Sequence, residues 1–306
     1  MVESRHIGAA AVVSSDGTLL RSLGDSTASI YPRSCLKPFQ ALSVLRSGVE
    51  LDGVQAVLAT ASHAGTPEHQ AVVISMLDRI GATEDDLLCP PDWPYDRDTA
   101  RRAPGPTRLF MNCSGKHAAF LMACAENGWD PSSYDDVTHP LQRAAHDTVE
   151  EYVGEHVDHA GVDGCGAPVF AATLAGLARG VARLTHSATT GVDADAGHLV
   201  RAVLDDPWAL DGHGRANTIT IEELGLLAKL GAEGVMVMGT TGGVAVAVKV
   251  LDGNLRAGTL AALHLLVAEG VVEQDAATRV LDGTLERITG GGVVVGGILP
   301  GSGLSA

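Results

Sequence analysis

Apolar positions repeat with two different periods along this chain. Residues 9–13 are an apolar run, Ser14-Ser15-Asp16-Gly17 breaks it, and residues 18–23 resume it. That pattern predicts a β-hairpin, with residues 24–30 as a connector. From Ser34 the spacing turns helical: Ser34-Cys35-Leu36-Lys37-Pro38-Phe39-Gln40-Ala41-Leu42 reads as the opening of an amphipathic helix. Residues 55–62 are a short apolar run ending in Ser62-His63-Ala64-Gly65. Residues 67–80 place Val72, Val73, Met76, Leu77 and Ile80 at helical spacing. Residues 89–107 hold five prolines and little periodicity, a long irregular loop of a size that is often functional. Further helices are predicted over 116–127, 140–153, 168–184 and 192–204. Strands return over 226–238, 244–250 and 291–299, with Thr240-Thr241-Gly242-Gly243 as a hairpin turn and a helix over 255–270 between them.

Strands therefore lie toward both ends and helices in the middle, with no linker and no repeat. The expectation is an α/β fold: an antiparallel sheet built from both chain termini, flanked by helices, with a helical region inserted. Residues 1–306 form a single domain on this reading, with the α/β part at about 1–33 and 218–306 and the mainly helical part at about 34–217.

Composition narrows the function classes. Of 306 residues, 45% are hydrophobic and 19% charged, which is ordinary for a globular chain. Aromatics are only 4% and glycines number 37, so the core is aliphatic and many turns are tight. Against 37 acidic residues stand 21 lysines and arginines, a formal charge of −16. Such a chain repels phosphate backbones and anionic membrane surfaces, so neither nucleic acid nor membrane is an expected partner. The apolar runs 7–13 and 293–299 are too short to span a bilayer. Glu3 stands where a secretory leader would be basic, so a cytoplasmic location is expected. Five cysteines, an odd and sparse set, do not make a disulfide framework; metal binding or burial suits them better.

The chemistry lies in five short stretches. Ser34 and Lys37 are three apart, so a helix sets them side by side, and a buried lysine that loses its charge can activate a serine. By itself the pair reads more readily as a helix cap followed by a solvated lysine, since Ser-x-x-Lys is common by accident. Ala61-Ser62-His63-Ala64-Gly65 presents a second serine and a histidine, and Asn112-Cys113-Ser114-Gly115-Lys116-His117 precedes a helix. Asp163-Gly164-Cys165-Gly166-Ala167-Pro168 frees the backbone around an aspartate and a cysteine. Ala228-Lys229-Leu230-Gly231-Ala232-Glu233-Gly234 lies in a strand region. Read singly, these are a strand end, two buried thiols, turn glycines and an edge-strand charge. Together they match hydrolases that open a helix with Ser-x-x-Lys, relay a proton through a second serine, and carry a lysine and glycine on the strand lining the site.

Nearly the whole chain resembles the L-asparaginase II family, the rhizobial-type (class 3) asparaginases, whose fold is similar to serine β-lactamases and glutaminases. The resemblance is carried by His6-Ile7-Gly8, Arg33 to Ala41, Ala61 to His69, Asn112 to His117, His139-Pro140-Leu141-Gln142, Asp163 to Pro168 and Lys229 to Gly234. It implies hydrolysis of the side-chain amide of L-asparagine, with Ser34 as nucleophile, Lys37 as its base, and Ser62 with Lys229 as the second serine–lysine pair. Arg33, His63, Asn112, Asp163 and Gly231, inside the matched stretches, are the candidate substrate-binding residues. It also implies zinc held by Cys113, Lys116 and Cys165, and a homodimer. The chain departs from the family's pattern at Thr66, at Cys35-Leu36 behind the nucleophile, and over Met236-Val237-Met238-Gly239-Thr240-Thr241-Gly242-Gly243. Two alternatives stay open: another acyl hydrolase on the same fold (a glutaminase, β-lactamase or peptidase), or a non-catalytic homologue that binds an amino acid or zinc.

Overall fold

The N-terminal hairpin forms as its alternation demands. In the computed structural model, which describes residues 1–304, β1 (Gly8–Ser14) pairs antiparallel with β2 (Leu19–Leu23). Asp16 Oδ1 fixes the turn by accepting from the Ser14 hydroxyl and the Thr18 N–H. Short strands follow: β3 (Ser29–Ile30), β4 (Ala160–Val162), β5 (Pro168–Phe170) and β6 (Ala172–Thr173), with β3 paired to β6 and β4 to β5. The main sheet is completed by β7 (Leu227–Gly231), β8 (Val235–Gly239) and β9 (Val244–Val250). Its order is β2-β1-β9-β8-β7, antiparallel throughout, and β1 pairs with β9 from Gly8↔Val250 to Ser14↔Val244. The expected sheet from two distant parts of the chain is present, with β7 at one edge.

The helices are α1 (Lys37–Arg46), α2 (Gly53–Thr60), α3 (Pro67–Asp78), α4 (Arg97–Arg102), α5 (Ser114–Asn127) and α6 (Pro140–Val153). After them come α7 (Leu174–Thr190), α8 (Ala194–Asp205), α9 (Ala216–Leu224), α10 (Gly258–Ala268) and α11 (Gln274–Thr284). Two of them sandwich the sheet. Gly239 abuts Val181 and Thr185 of α7, whereas Met236, of opposite parity on the same strand, abuts Gly258 of α10. With both faces covered, β8 is buried at every position and reads as a continuous apolar run rather than an alternating one. The helical region stacks beside this sandwich around α5, whose residues Ser114 to Cys124 are all buried. Gly115 allows that closeness: a Cβ there would stand 2.4 Å from the Leu58 carbonyl oxygen of α2.

Several elements differ from the sequence expectation. Ser34 does not open an α-helix; Arg33–Leu36 is a 3₁₀ turn and α1 begins at Lys37. Arg33 carries φ 55°, a left-handed backbone for a non-glycine residue. The run 55–62 is the body of α2 plus an extended exit at Ala61. Within 168–184 the first residues form strands, because β4 pairs with them, and α7 starts only where Thr173 caps the Gly176 N–H. The loop 89–107 contains α4, capped by Asp96 on Thr99 N–H. The run 226–238 is two strands parted by a turn in which Glu233 and Gly234 both have positive φ. Helices α9 and α11 were not expected from the sequence; α9 has little amphipathic periodicity, whereas α11 has a clear apolar stripe. Over 291–299 only β11 (Val293–Gly296) is a strand, and it pairs with β10 (Ile288–Gly290) apart from the main sheet. Among the described residues, no helix is long and apolar enough to cross a membrane.

Candidate active site

The exit from α2 delivers Ser62 to two lysines. Ala61 turns extended, and the Ser62 N–H is tied to the Leu210 carbonyl at 2.9 Å. Lys37, at the first turn of α1, donates from Nζ to the Ala61 carbonyl at 2.6 Å and to Ser62 Oγ at 2.9 Å. Lys229, in the middle of β7, reaches the same Ser62 Oγ at 2.8 Å. Both lysines are buried. Two ammonium groups on one hydroxyl repel in a medium that solvates neither. Burial first, and then the Lys37 charge, bring the Lys229 amine down to about 7.

The 3₁₀ turn holds Ser34 against β7. Cys35 Sγ meets the Lys229 carbonyl at 3.2 Å, and burial pushes its thiol up to about 12, so Cys35 is an inert strut. Gly231 makes the contact feasible: a Cβ there would lie 2.7 Å from the Pro32 oxygen and 3.0 Å from Cys35 Sγ. Ser34 and Lys37 are eclipsed across a 3₁₀ turn, and the Lys37 N–H bonds the Ser34 carbonyl. Ser34 itself is half-buried, and among the described residues its hydroxyl makes no hydrogen bond. The Lys37 amine is engaged by Ser62, not by Ser34 as the tetrad alone suggests.

A second cluster forms where the N-terminus of α5 meets the tip of the β4–β5 hairpin. Lys116 Nζ stands 3.3 Å from Cys165 Sγ and over the Phe120 ring, and the Cys113 thiol donates to Asn112 Oδ1 at 2.9 Å. The neighbouring Cys113 thiol draws the Cys165 acidity far down against the opposing cost of burial, with Lys116 adding to it. Cys165, with burial, pushes Cys113 well up. Burial disfavours charge on Lys116, yet the two sulfurs outweigh it and the amine is pushed up. His117 Nδ1 meets the Tyr134 hydroxyl at 2.8 Å, while its buried Nε2 has no hydrogen-bond partner among the described residues. Arg33 ties this cluster to the 3₁₀ turn through a 2.6 Å bond from Nε to Asp163 Oδ1. The left-handed Arg33 backbone is strain held in place by that ion pair.

Asn112 links the two clusters. Its Oδ1 lies 2.9 Å from Cys113 Sγ, its carbonyl accepts from the His63 N–H at 3.2 Å, and its Nδ2 donates to the Tyr95 hydroxyl at 2.7 Å. His63 is fully buried behind the Ser62 turn. Nε2 meets Ser114 Oγ at 2.9 Å, Nδ1 accepts from the Gly65 N–H at 3.1 Å, and the ring stacks on His69 at 5.1 Å. Burial holds His63 well below its usual range, so it is a neutral brace with both nitrogens occupied.

Four residues at the site escaped the sequence reading. Asp211, buried, takes Arg215 Nε at 2.5 Å and the Asn217 N–H at 3.2 Å, and Asn217 Oδ1 accepts from the Leu230 N–H at 3.0 Å. These contacts clamp the 211–217 loop to the free edge of β7. Tyr95, the fourth, lies on the proline-rich loop whose length alone hinted at a role.

A serine between two buried amines, beside a thiol–amine cluster, on a sheet contributed by distant parts of the chain: these are features of a hydrolase. The chain belongs to the L-asparaginase II family, whose model matches residues 1–300, and it is thereby an amidohydrolase. No curated protein matches it. Among solved structures, it is similar to a β-lactamase from Mycobacterium bovis at 18% identity and a TM-score of 0.42, covering 91% of this chain and 95% of that one. It is also similar to a chain from Bacteroides dorei DSM 17855 described as a candidate β-lactamase, at 15% identity and a TM-score of 0.43, covering 79% of this chain and 84% of that one.

Proposed function

We propose that this protein hydrolyses the side-chain amide of L-asparagine to L-aspartate and ammonia, with Ser34 as the nucleophile. The observation that carries the proposal is Ser62 Oγ, held at 2.9 and 2.8 Å by two buried lysine amines. With Lys229 at about 7, its amine is available as a proton acceptor near neutrality. Lys229 takes the Ser62 proton, Ser62 takes one from Lys37, and Lys37 is left with the lone pair that receives the Ser34 proton. Ser34 Oγ then attacks the amide carbon. The N–H groups of Ser34 and of Ala232, just past the end of β7, are assigned to the developing oxyanion. Losing one such donor costs about 3–4 kcal/mol of barrier. The relay running in reverse hands a proton to the departing ammonia, and water releases aspartate from Ser34.

Zinc at Cys113, Lys116 and Cys165 is part of the same proposal. The donor set fits: two sulfurs, one already favouring the thiolate, and one amine converge in a buried cluster, and zinc takes sulfur and nitrogen ligands. When bound, zinc supplies a Lewis-acid centre for an amino or carboxylate group of the substrate. Asp163, fixed by Arg33, stands beside it to orient a cationic amino group. A cytoplasmic homodimer is the form expected of the enzyme.

Ammonia release from asparagine and glutamine, run beside hydrolysis of a chromogenic β-lactam, tests the substrate. Ser34→Ala is expected to abolish ammonia release with an unchanged melting temperature. Retained turnover in that variant, or β-lactam hydrolysis outpacing the amides, removes the proposal.

A further inference from the structure

We infer that Arg215 reads the free carboxylate of the substrate at the rim of the site, which makes amides bearing an α-carboxylate the substrate class. The inference rests on the amide-hydrolase reading and adds a specificity residue to it. Arg215 is pinned twice: Nε bonds Asp211 Oδ1 at 2.5 Å, and the guanidinium lies over the Tyr95 ring, 6.0 Å from its centroid. Its two terminal nitrogens make no hydrogen bond among the described residues, and its side chain is 40% exposed. A planar cation fixed at one edge and one face, with its outer pair of donors open, is preorganised for bidentate capture of a carboxylate.

Its position follows from a closed ring of neighbours. Arg215 bonds Asp211, Asp211 accepts from the Asn217 N–H, and Asn217 Oδ1 accepts from the N–H of Leu230, the residue after Lys229. Lys229 and Lys37 share Ser62, and the next residue, His63, donates its N–H to the Asn112 carbonyl. Asn112 bonds Tyr95, and Tyr95 underlies Arg215. Arg215 thus spans the two loops that flank the Ser62 turn, 89–107 and 211–217. Both loops touch that turn directly: the Asp96 N–H bonds the Ala64 carbonyl at 2.9 Å, and a Cβ on Gly212 would lie 3.1 Å from Ala64 Cβ. The other guanidinium nearby, Arg33, is less free: Nε is committed to Asp163, Nη2 is turned toward Gly164, and the side chain is 23% exposed. On a chain of net charge −16, a fixed cation at the entrance also offsets the repulsion an anionic substrate meets.

The test compares asparagine with asparaginamide, which lacks the free carboxylate, in the wild type, Arg215→Gln and Arg215→Lys. A charged hydrogen-bond pair predicts a KM for asparagine about 10- to 100-fold higher in Arg215→Gln with kcat changed little, and kcat/KM for asparaginamide changed no more than about threefold. Arg215→Lys keeps a charge beside Asp211 but loses the fork, so it is expected to fold normally and still bind carboxylate weakly. Equal losses on both substrates, or a wild type indifferent to the carboxylate, overturn the inference. Aspartate binding by calorimetry separates it from the hydrolase reading. If no amide is turned over, that reading fails, while aspartate affinity weakened in Arg215→Lys still supports Arg215 and equal affinity still overturns it.

Discussion

Lys229 and Lys116 are both buried amines, yet they are driven in opposite directions. Lys229 faces a hydroxyl and another amine and falls to about 7; Lys116 faces two sulfurs and is pushed up. Desolvation acts on each in the same sense, so burial alone does not decide the charge. The sign of the nearest neighbour does. One pocket therefore holds a proton acceptor near neutrality, and the adjacent one holds an amine kept protonated beside two sulfurs.

Lys229→Met cuts the comparison most deeply. Turnover is expected to fall by about 10²–10⁴, the usual worth of a positioned acid–base group, as measured by ammonia release. Stability should move the other way. In the folded state Lys229 is at about 7 against an ordinary 10.5, so the unfolded chain holds more protons between those values. Stability from this group therefore rises as pH climbs from 7 to 10.5 and is missing below 7. The methionine variant is expected to melt higher at pH 7 and to lose that slope.

Cys165→Ala strikes the other lysine. It leaves Lys116 a buried cation without its counter-charge, at a cost of about 3–5 kcal/mol, read from denaturant melts in the presence of a chelator. An unchanged midpoint would mean that Lys116 does not depend on its sulfurs. A smaller effect sharpens the contrast kinetically. In the wild type, kcat/KM for asparagine is expected to rise through about pH 7 as Lys229 loses its proton, whereas Cys113 and Cys165 variants that retain turnover keep that limb. A profile flat across neutrality would deny Lys229 its role.

The smallest effect concerns the stacked pair behind Ser62. Burial lowers His63 and His69 below 6.5, so the unfolded chain binds protons that the folded one refuses. Their contribution is complete above 6.5 and lost as pH falls beneath it. His69→Gln is expected to flatten the acid side of the melting curve by on the order of 1 kcal/mol.

The sequence was most legible where neighbours in the chain are neighbours in space. The β1–β2 hairpin follows from a turn rich in serine, aspartate and glycine, and α3 and α6 follow from their spacing and their prolines at the first turn. It was less legible where distant segments compete. Residues 168–170 and 172–173 are strand because β4 and β3 lie beside them, and Ser34 sits in a 3₁₀ turn because Gly231 brings β7 against Pro32 and Cys35. The same holds at the site. Ser34, Lys37, Ser62, Lys229, Cys113, Lys116 and Cys165 stand in recognisable short motifs, whereas Tyr95, Asp211 and Arg215 do not.

By itself, the amino-acid order determined the acidic character of the protein, the sheet drawn from two remote stretches, and which hydroxyls, amines and thiols are available for chemistry. Only the tertiary structure decided that Lys37 turns to Ser62, that Lys229 rather than Lys116 sheds its proton, and that His63 is a brace. The reason is physical: a side chain's identity is local, but its charge and its partners depend on which other groups are packed against it after water has left.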